Sequence, residues 1–538
     1  MSGFEFHLPP LSEDVPPAFH AARGCRDWLA AQPLANPAQA QALLLRQLNL
    51  LNRFAIAPAE RLKILELLRD PIAFAQSESA RKFAGRPLPL APAEQAGMDA
   101  NRTLWQTVQT GYLHCLAACL EGHAELRPHA ALIAQRVIAA LRAELLDIYR
   151  APIDPPASLW HTLHRVFAAA ESLGALSHPV NDSLQTTHPG SGVAAAYAQT
   201  LLLHRASPYE LSGRQLMQVE RWMHRWGGKV AVLNAPPLEP RVPPLQVDLA
   251  ADAPDAPADA SVGQARWLDL SELSRSIKRR IAHLQKGESP ASLGLGEDAV
   301  QPACENLLRH LYQHWFKGGA PRLHPRRAAG GGCGLVTGLD AIHYYLTGKL
   351  FRQPGEADAM TKTQIEEIAT FGRVATRHDD DFSRLHGFMV EQWQVIDESA
   401  TGFRLVRPLS QPGGRVGGGQ MVAVMPGGSR GFLLAVARWS RLTGGGAELQ
   451  AGIQILPGNP QTVALRGTGL SAVNEKYRPG FKLPAVPALN YPESVIVPAG
   501  WFRAGRVIEL YENASRQIRL TRQLDRGSDF ERCAYESL

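Results

Sequence analysis

Trp393-Gln-Val-Ile-Asp397-Glu-Ser399-Ala-Thr-Gly402-Phe-Arg-Leu-Val406 is the stretch on which the reading of this chain turns. Apolar residues alternate with polar ones as far as Val395, a polar cluster interrupts them, and Phe403 to Val406 follows as a second apolar run. The segment therefore reads as strand, tight turn and strand. Downstream come Gln420–Met425, Phe432–Trp439 and Leu449–Leu456, short runs rich in valine, leucine and isoleucine separated by glycine and proline. That rhythm predicts an antiparallel barrel or sandwich.

Upstream of the turn stands Arg322-Leu-His-Pro-Arg326, followed directly by Arg327. Arginine presents a planar fork of donors that suits phosphate and the O6/N7 edge of guanine, and its flat face stacks on a purine. The Asp397 carboxylate can accept from guanine N1–H and N2–H, and the Ser399 hydroxyl can hold the turn or reach a ligand. Gly402 suits a positive φ or a backbone lying close to a ligand. Neither pattern is specific alone. Arg275-Ser-Ile-Lys-Arg279 repeats the arginine spacing in a segment that reads as helix, and Asp, Ser and Gly are ordinary turn residues.

Taken in this order and followed by these strands, the two motifs resemble the signature of PilZ domains, bacterial receptors for cyclic di-GMP. The resemblance covers about 320–460. It implies a PilZ-like β-barrel whose ligand-binding positions are Arg322, Arg326, Asp397, Ser399 and Gly402, with Arg327 as a further phosphate contact. About seventy residues separate Arg326 from Asp397, more than a compact barrel of this kind needs, so the interval holds an insertion. Ala341–Leu346 and Thr363–Ala369 read as its helical pieces.

A chain of 538 residues is too long for one core. The fold expected is multidomain α+β: an all-helical half over 1–235, a Pro/Ala/Asp linker over 236–262, a helical connector over 263–318, the barrel with its insertion over 319–468, and a second small β unit over 469–538. In the helical half, leucine-rich stripes predict helices over Ala38–Asn52, Ala59–Leu68 (ending before Asp70-Pro71), Asn101–Leu120, His129–Tyr149, Ser158–Leu173, Gly192–His204 and Leu211–Trp226. They form a bundle or an irregular helical repeat. Arg266 to Ser274 reads as an Asp/Ser cap before a helix rather than a decayed strand and turn, and Ala299–Phe316 as another helix. In the last unit Glu493–Val497, Trp501–Leu510 and Gln517–Arg522 read as strands, and Asp525–Arg532 as a charged tail or cap.

The remaining signals point away from catalysis. Six cysteines, Cys25, Cys115, Cys119, Cys304, Cys333 and Cys533, lack zinc or redox spacing and read as small core residues. His161 and His164, three apart, read as surface or hydrogen-bonded core residues, and Trp222 and Trp226 as core packing. No metal site is expected. Gly330–Gly334 and Gly413–Gly419 lack the Gly-Lys-Ser/Thr of a phosphate cradle and read as hairpin loops. Thr347-Gly-Lys349 lacks it too, and no cyclase, phosphodiesterase or hydrolase motif stands in catalytic context. A net charge of +6 favours an anionic ligand without the dense basic blocks that DNA would require. No apolar run is long enough to span a membrane, and no basic-then-apolar leader opens the chain.

The sequence thus describes a cytoplasmic sensor and no enzyme. It would bind cyclic di-GMP on a PilZ-like barrel, use no other cofactor, and couple binding to a helical domain that meets a protein partner. The alternative is a helical scaffold whose degenerate barrel binds a protein.

Overall fold

The computed structural model describes residues 6–184, 190–255, 263–318, 325–355, 387–429, 431–469, 475–489 and 491–538. The chain folds as two compact units, Met1–Arg86 with Leu90–Arg322, and Pro87–Pro89 with Leu323–Leu538.

The first unit is helical. Its first eight helices are α1 (Ala22–Ala31), α2 (Pro37–Leu51), α3 (Pro58–Ala80), α4 (Pro92–Leu120), α5 (Ala130–Arg150), α6 (Ala157–Ser172), α7 (Val193–Arg205) and α8 (Gly213–Trp226). Pro at the first helical position opens α2, α3 and α4, where its missing N–H costs nothing. The expected end of α3 before Asp70-Pro71 is overturned: the helix runs through Pro71 to Ala80. Ile72, Ala75 and Ala80 are buried beyond the proline. Their packing outweighs the roughly 3 kcal/mol that an interior proline costs. A polar seam crosses the core. Asn101 accepts from Gln41 (2.7 Å) and donates to Asp147 (3.0 Å) and to the Gln76 carbonyl (3.1 Å).

Strands β1 (Ala231–Leu233), β2 (Leu245–Asp248) and β3 (Ala265–Asp269) make a small sheet in the order β1-β3-β2. The Pro/Ala/Asp stretch therefore carries a strand, because Leu245 and Val247 are both buried. The segment around Asp269 is strand and cap together. After β3, Asp269 Oδ1 accepts from Ser271 N at 2.9 Å and leads into α9 (Ser271–Gln285). Helix α10 spans Ala303–Phe316. Trp222 and Trp226 stack with ring centroids 5.3 Å apart, and both are buried. His164 is buried between the Tyr197 hydroxyl (2.7 Å) and the Ala253 carbonyl (2.8 Å), while exposed His161 meets Asp252 at 2.7 Å. All six cysteines are buried and free.

The second unit holds two barrels. The first is built from β4 (Arg327–Ala328), β5 (Gly332–Thr337), β6 (Glu391–Ser399), β7 (Gly402–Pro408), β8 (Gln420–Pro426), β9 (Leu433–Thr443) and β10 (Glu448–Ile455), in the order β4-β6-β5-β8-β9-β10-β7. Pairing of β6 with β7 closes it into a six-stranded ring. Strands β4 and β5 lie end to end along one edge of β6. Gly330–Gly334, expected as a hairpin loop, feeds instead into β5. A Cβ on Gly334 would lie 3.0 Å from Val390, so glycine permits a tight approach there. Gly413–Gly419 is a loop but not the expected hairpin, since it joins β7 to β8, which do not pair with each other. Leu88 and Val416 exchange backbone hydrogen bonds of 3.0 and 2.7 Å, which ties Pro87–Pro89 into this unit.

The second barrel closes β11 (Gln461–Gly467), β12 (Arg478–Leu483), β13 (Ser494–Pro498), β16 (Phe530–Ser537), β15 (Ser515–Arg526) and β14 (Val507–Tyr511) into a ring in that order. It starts at Gln461, ahead of the expected boundary at 469, and Trp501–Arg506 precedes β14 instead of joining it. Asp525–Arg532 is no tail: it is the paired end of the β15–β16 hairpin, turning at Gly527–Asp529, with Phe530 and Cys533 of β16 buried. Helix α11 (Leu339–Thr347) sits between the barrels, where Ala341 and Ile342 share one apolar cluster with Met421, Val436, Phe481 and Phe530. The part of the insertion at Ala341–Leu346 is therefore a wedge, and Thr363–Ala369 lies outside the described residues. The wedge also explains the unbroken apolar run of β8. Met421 and Ala423 face the shared cluster, so Val422 and Val424 face the other way, and all four are buried.

Candidate functional site

In β6 the residues Glu391, Trp393 and Val395 are buried at alternate positions. Continued alternation would send Asp397 inward as well. A bulge intervenes: Val395 pairs with Leu405 and Asp397 with Arg404, which leaves Ile396 as the extra residue. Because a bulge shifts all later side chains to the opposite face, Asp397 emerges on the outer surface beside Arg404. A second bulge at Arg438 of β9, between the pairs Gly452–Trp439 and Ile453–Ala437, does the same for Trp439. The registers then align Asp397, Arg404, Gly452 and Trp439 in one row across β6, β7, β10 and β9. Neighbouring strands are about 4.8 Å apart, so the row spans roughly 14 Å.

The row is charged at one end and aromatic at the other. Asp397 bridges two arginines, Arg326 at 2.9 Å and Arg404 at 2.7 Å, and its side chain is 14% exposed. Arg327 pairs with Glu398 at 2.6 Å, with 82% of the arginine side chain in solvent. Arg404 Nε is buried and has no hydrogen-bond partner among the described residues. Gly452 leaves the space that the Trp439 indole fills: a Cβ there would lie 2.2 Å from Trp439 Nε1. Arg441 stands 5.6 Å from the centroid of that ring. Three arginines, Arg326, Arg404 and Arg441, against the one carboxylate of Asp397, with an indole at the far end, make a surface suited to phosphates and a planar base.

The expected residues fall out as follows. Arg326 and Asp397 come together, Arg327 instead meets Glu398, whose side chain alternates to the other face of β6, and Arg322 lies outside the described residues. Ser399 Oγ bonds the Gly402 carbonyl at 3.3 Å and so holds the turn. Gly402 has no positive φ. A Cβ there would meet the Ile453 carbonyl oxygen at 2.1 Å, so this glycine is required by the close approach of β10. Arg404, Trp439 and Arg441 were not anticipated. Only the strand register identifies them, since in sequence they are ordinary polar or aromatic residues of strands.

Behind the row, Glu391 and Arg407 are buried and 3.4 Å apart. Glu391 also accepts from Trp393 Nε1 (3.0 Å) and Gly414 N (2.8 Å), and Arg407 lies over the Trp393 ring at 5.2 Å. This network anchors the loop after β7.

Residues 23–237 match the family model described as "Cyclic-di-GMP receptor FimW, N-terminal domain", and residues 463–538 match the "FimW C-terminal beta-barrel domain". Together they take in more than half of the chain, and the chain belongs to the family that these domains define. A curated relative, the cyclic-di-GMP receptor FimW of Pseudomonas aeruginosa, is 24% identical over 558 residues, covering 95% of this chain and 89% of its own length. Kinship with cyclic di-GMP receptors, expected from the two motifs, is thereby borne out. A receptor is a binding protein by name, in keeping with a site that displays arginines and an indole. No helix among the described residues is long and apolar enough to cross a membrane.

Proposed function

We propose that this protein binds cyclic di-GMP on the outer face of its first barrel and passes the binding event to its helical half, which meets a protein partner in the cytoplasm. The observation that carries the reading is Asp397 held outward by the Ile396 bulge and bracketed by Arg326 and Arg404. In this reading Arg322, Arg326 and Arg327 take the phosphates and one guanine edge. Asp397 accepts from the N1–H and N2–H of a guanine, Arg404 adds a phosphate or base contact, and Trp439 offers a face for stacking. The existing pairs Arg326–Asp397 and Arg327–Glu398 are partly exposed, so exchanging them for ligand contacts costs on the order of 1 kcal/mol each. The arginine motif lies in the chain between α10 and β4, so a ligand held by it acts where the helical half leads into the barrel.

The test is a calorimetric titration of the full chain with cyclic di-GMP, cyclic GMP-AMP and GTP, repeated on Arg322→Ala/Asp397→Ala. Saturable binding of cyclic di-GMP, selective over GTP and lost in the double variant, supports the reading. Absence of heat and of a thermal shift in the unaltered chain would reduce the barrel to a protein-binding adaptor.

A further inference from the structure

In the helical unit, just ahead of the arginine motif in sequence, α10 carries His310 and His314 one helical turn apart on the same face. Their rings lie 4.3 Å apart, centroid to centroid. Glu210 ends the short turn Pro208–Glu210 between α7 and α8 and brings its carboxylate to 3.8 Å from His314 Nε2. One ring nitrogen of each histidine and one carboxylate oxygen lie within 4.8 Å of one another.

Two further observations bear on what this trio does. His314 Nε2 is buried and has no hydrogen-bond partner among the described residues, a costly arrangement for a polar atom unless something binds it. His310 Nε2 donates to the Ala206 carbonyl at 2.8 Å, which leaves Nδ1 with the lone pair. An imidazole whose second nitrogen is fixed by a backbone carbonyl is the arrangement that orients histidine toward a metal. Arg205, the neighbouring cation, is held by Asp255 at 2.6 Å.

From this geometry we infer that Glu210, His310 and His314 form a binding site for a zinc ion, which clasps the α7–α8 turn to α10. Two imidazoles and one carboxylate are a donor set that zinc accepts in tetrahedral geometry, with the fourth position open to water or to a partner's side chain. Ligand atoms at about 2.1 Å from zinc are about 3.4 Å apart in a tetrahedron, so small side-chain rotations from the observed spacing complete the site. Nothing in this inference depends on the nucleotide reading.

The experiment uses the full-length chain without a histidine tag, stripped of metal by chelator and dialysed. Zinc chloride is titrated by calorimetry, and cobalt(II) by visible absorption. One equivalent of zinc is expected, with an intense tetrahedral cobalt spectrum. Zinc affinity should fall at least tenfold in His314→Gln and in His310→Gln, and hold in His161→Gln, whose histidine is exposed. Zinc should also raise the melting temperature of the unaltered chain and leave that of His314→Gln unmoved. Circular dichroism of the metal-free variants distinguishes loss of the site from loss of the fold; if His314→Gln unfolds, Glu210→Gln, on an exposed side chain, carries the test. No uptake by the unaltered chain, or equal uptake when both histidines are replaced, overturns the inference.

Discussion

Asp397 and Arg404 face each other across the β6–β7 hairpin, with Arg404 Nη2 2.7 Å from Asp397 Oδ2, because one extra residue, Ile396, turns the aspartate out of the barrel. Replacing either should lower affinity for cyclic di-GMP at least tenfold. Each pair is partly exposed and contributes at most about 1 kcal/mol to folding, so the melting temperature should hardly move. Calorimetry and a thermal melt on Asp397→Ala and Arg404→Ala check both halves of this statement. Unchanged affinity in both variants would remove the row from the binding surface.

Deleting Ile396 makes a sharper test. The deletion takes out only the unpaired residue, so Asp397 follows inward-facing Val395 directly and by simple alternation still faces outward opposite Arg404. The deletion should therefore retain the cyclic di-GMP binding that Asp397→Ala loses, as read by calorimetry, and loss of binding in the deletion would show that the bulge does more than set the facing of Asp397.

Trp439 should contribute through stacking. Replacement by alanine is expected to weaken cyclic di-GMP binding by about 1–3 kcal/mol, roughly five- to 150-fold. Gly452→Ala, whose methyl would collide with the indole, should reproduce part of that loss without touching the tryptophan itself. A Trp439→Ala variant that binds normally would confine the site to the arginine end of the row.

Gly402 and Glu391 are expected to matter for stability. Gly402→Ala drives a methyl toward the Ile453 carbonyl, a backbone atom that cannot turn aside, and should cost about 1–3 kcal/mol or more. Gly330→Ala, with nothing within 4 Å, is the matched control. Glu391→Ala leaves Arg407 buried without its carboxylate and should cost about 3–5 kcal/mol. Chemical denaturation of the three variants gives the ranking.

Acid should weaken the helical unit. Burial, reinforced by the Arg61 charge, lowers His114 to about 4, below its ordinary 6.5. The unfolded chain therefore takes up this proton first. Stability is retained above about 6.5 and declines as pH falls toward 4. The urea midpoint measured at pH 7 and pH 5 should drop in the unaltered chain and drop less in His114→Gln.

The polar turn and the strands after it were legible because their signals are local: Ser399 to Gly402 reads as a turn whatever surrounds it, and Met421–Met425 and Leu433–Ala437 are unbroken apolar runs. The helical half was legible for the same reason, through leucines at helical spacing. Long-range features were not. The passage of α3 through Pro71 is decided by Ile72 and Ala75 packing into a core that the segment itself does not reveal. Gly332–Gly334 resembles a loop until Val390 is seen lying against it. Arg404 and Trp439 join the site through two bulges, and a bulge leaves no mark in a strand rich in ordinary residues. Glu210 and the His310–His314 pair are brought together by the fold alone, from distant parts of the chain.

Closure of the first ring by β6 and β7 has a consequence for how such a protein signals. The two residues of β4, beside Arg326, add to a cylinder whose hydrogen bonds are complete without them. Peeling them from the tip of β6, or pressing them onto it, alters a handful of exposed contacts and leaves the barrel's core undisturbed. Responsiveness and durability thus draw on different sets of bonds, and selection can strengthen one without loosening the other.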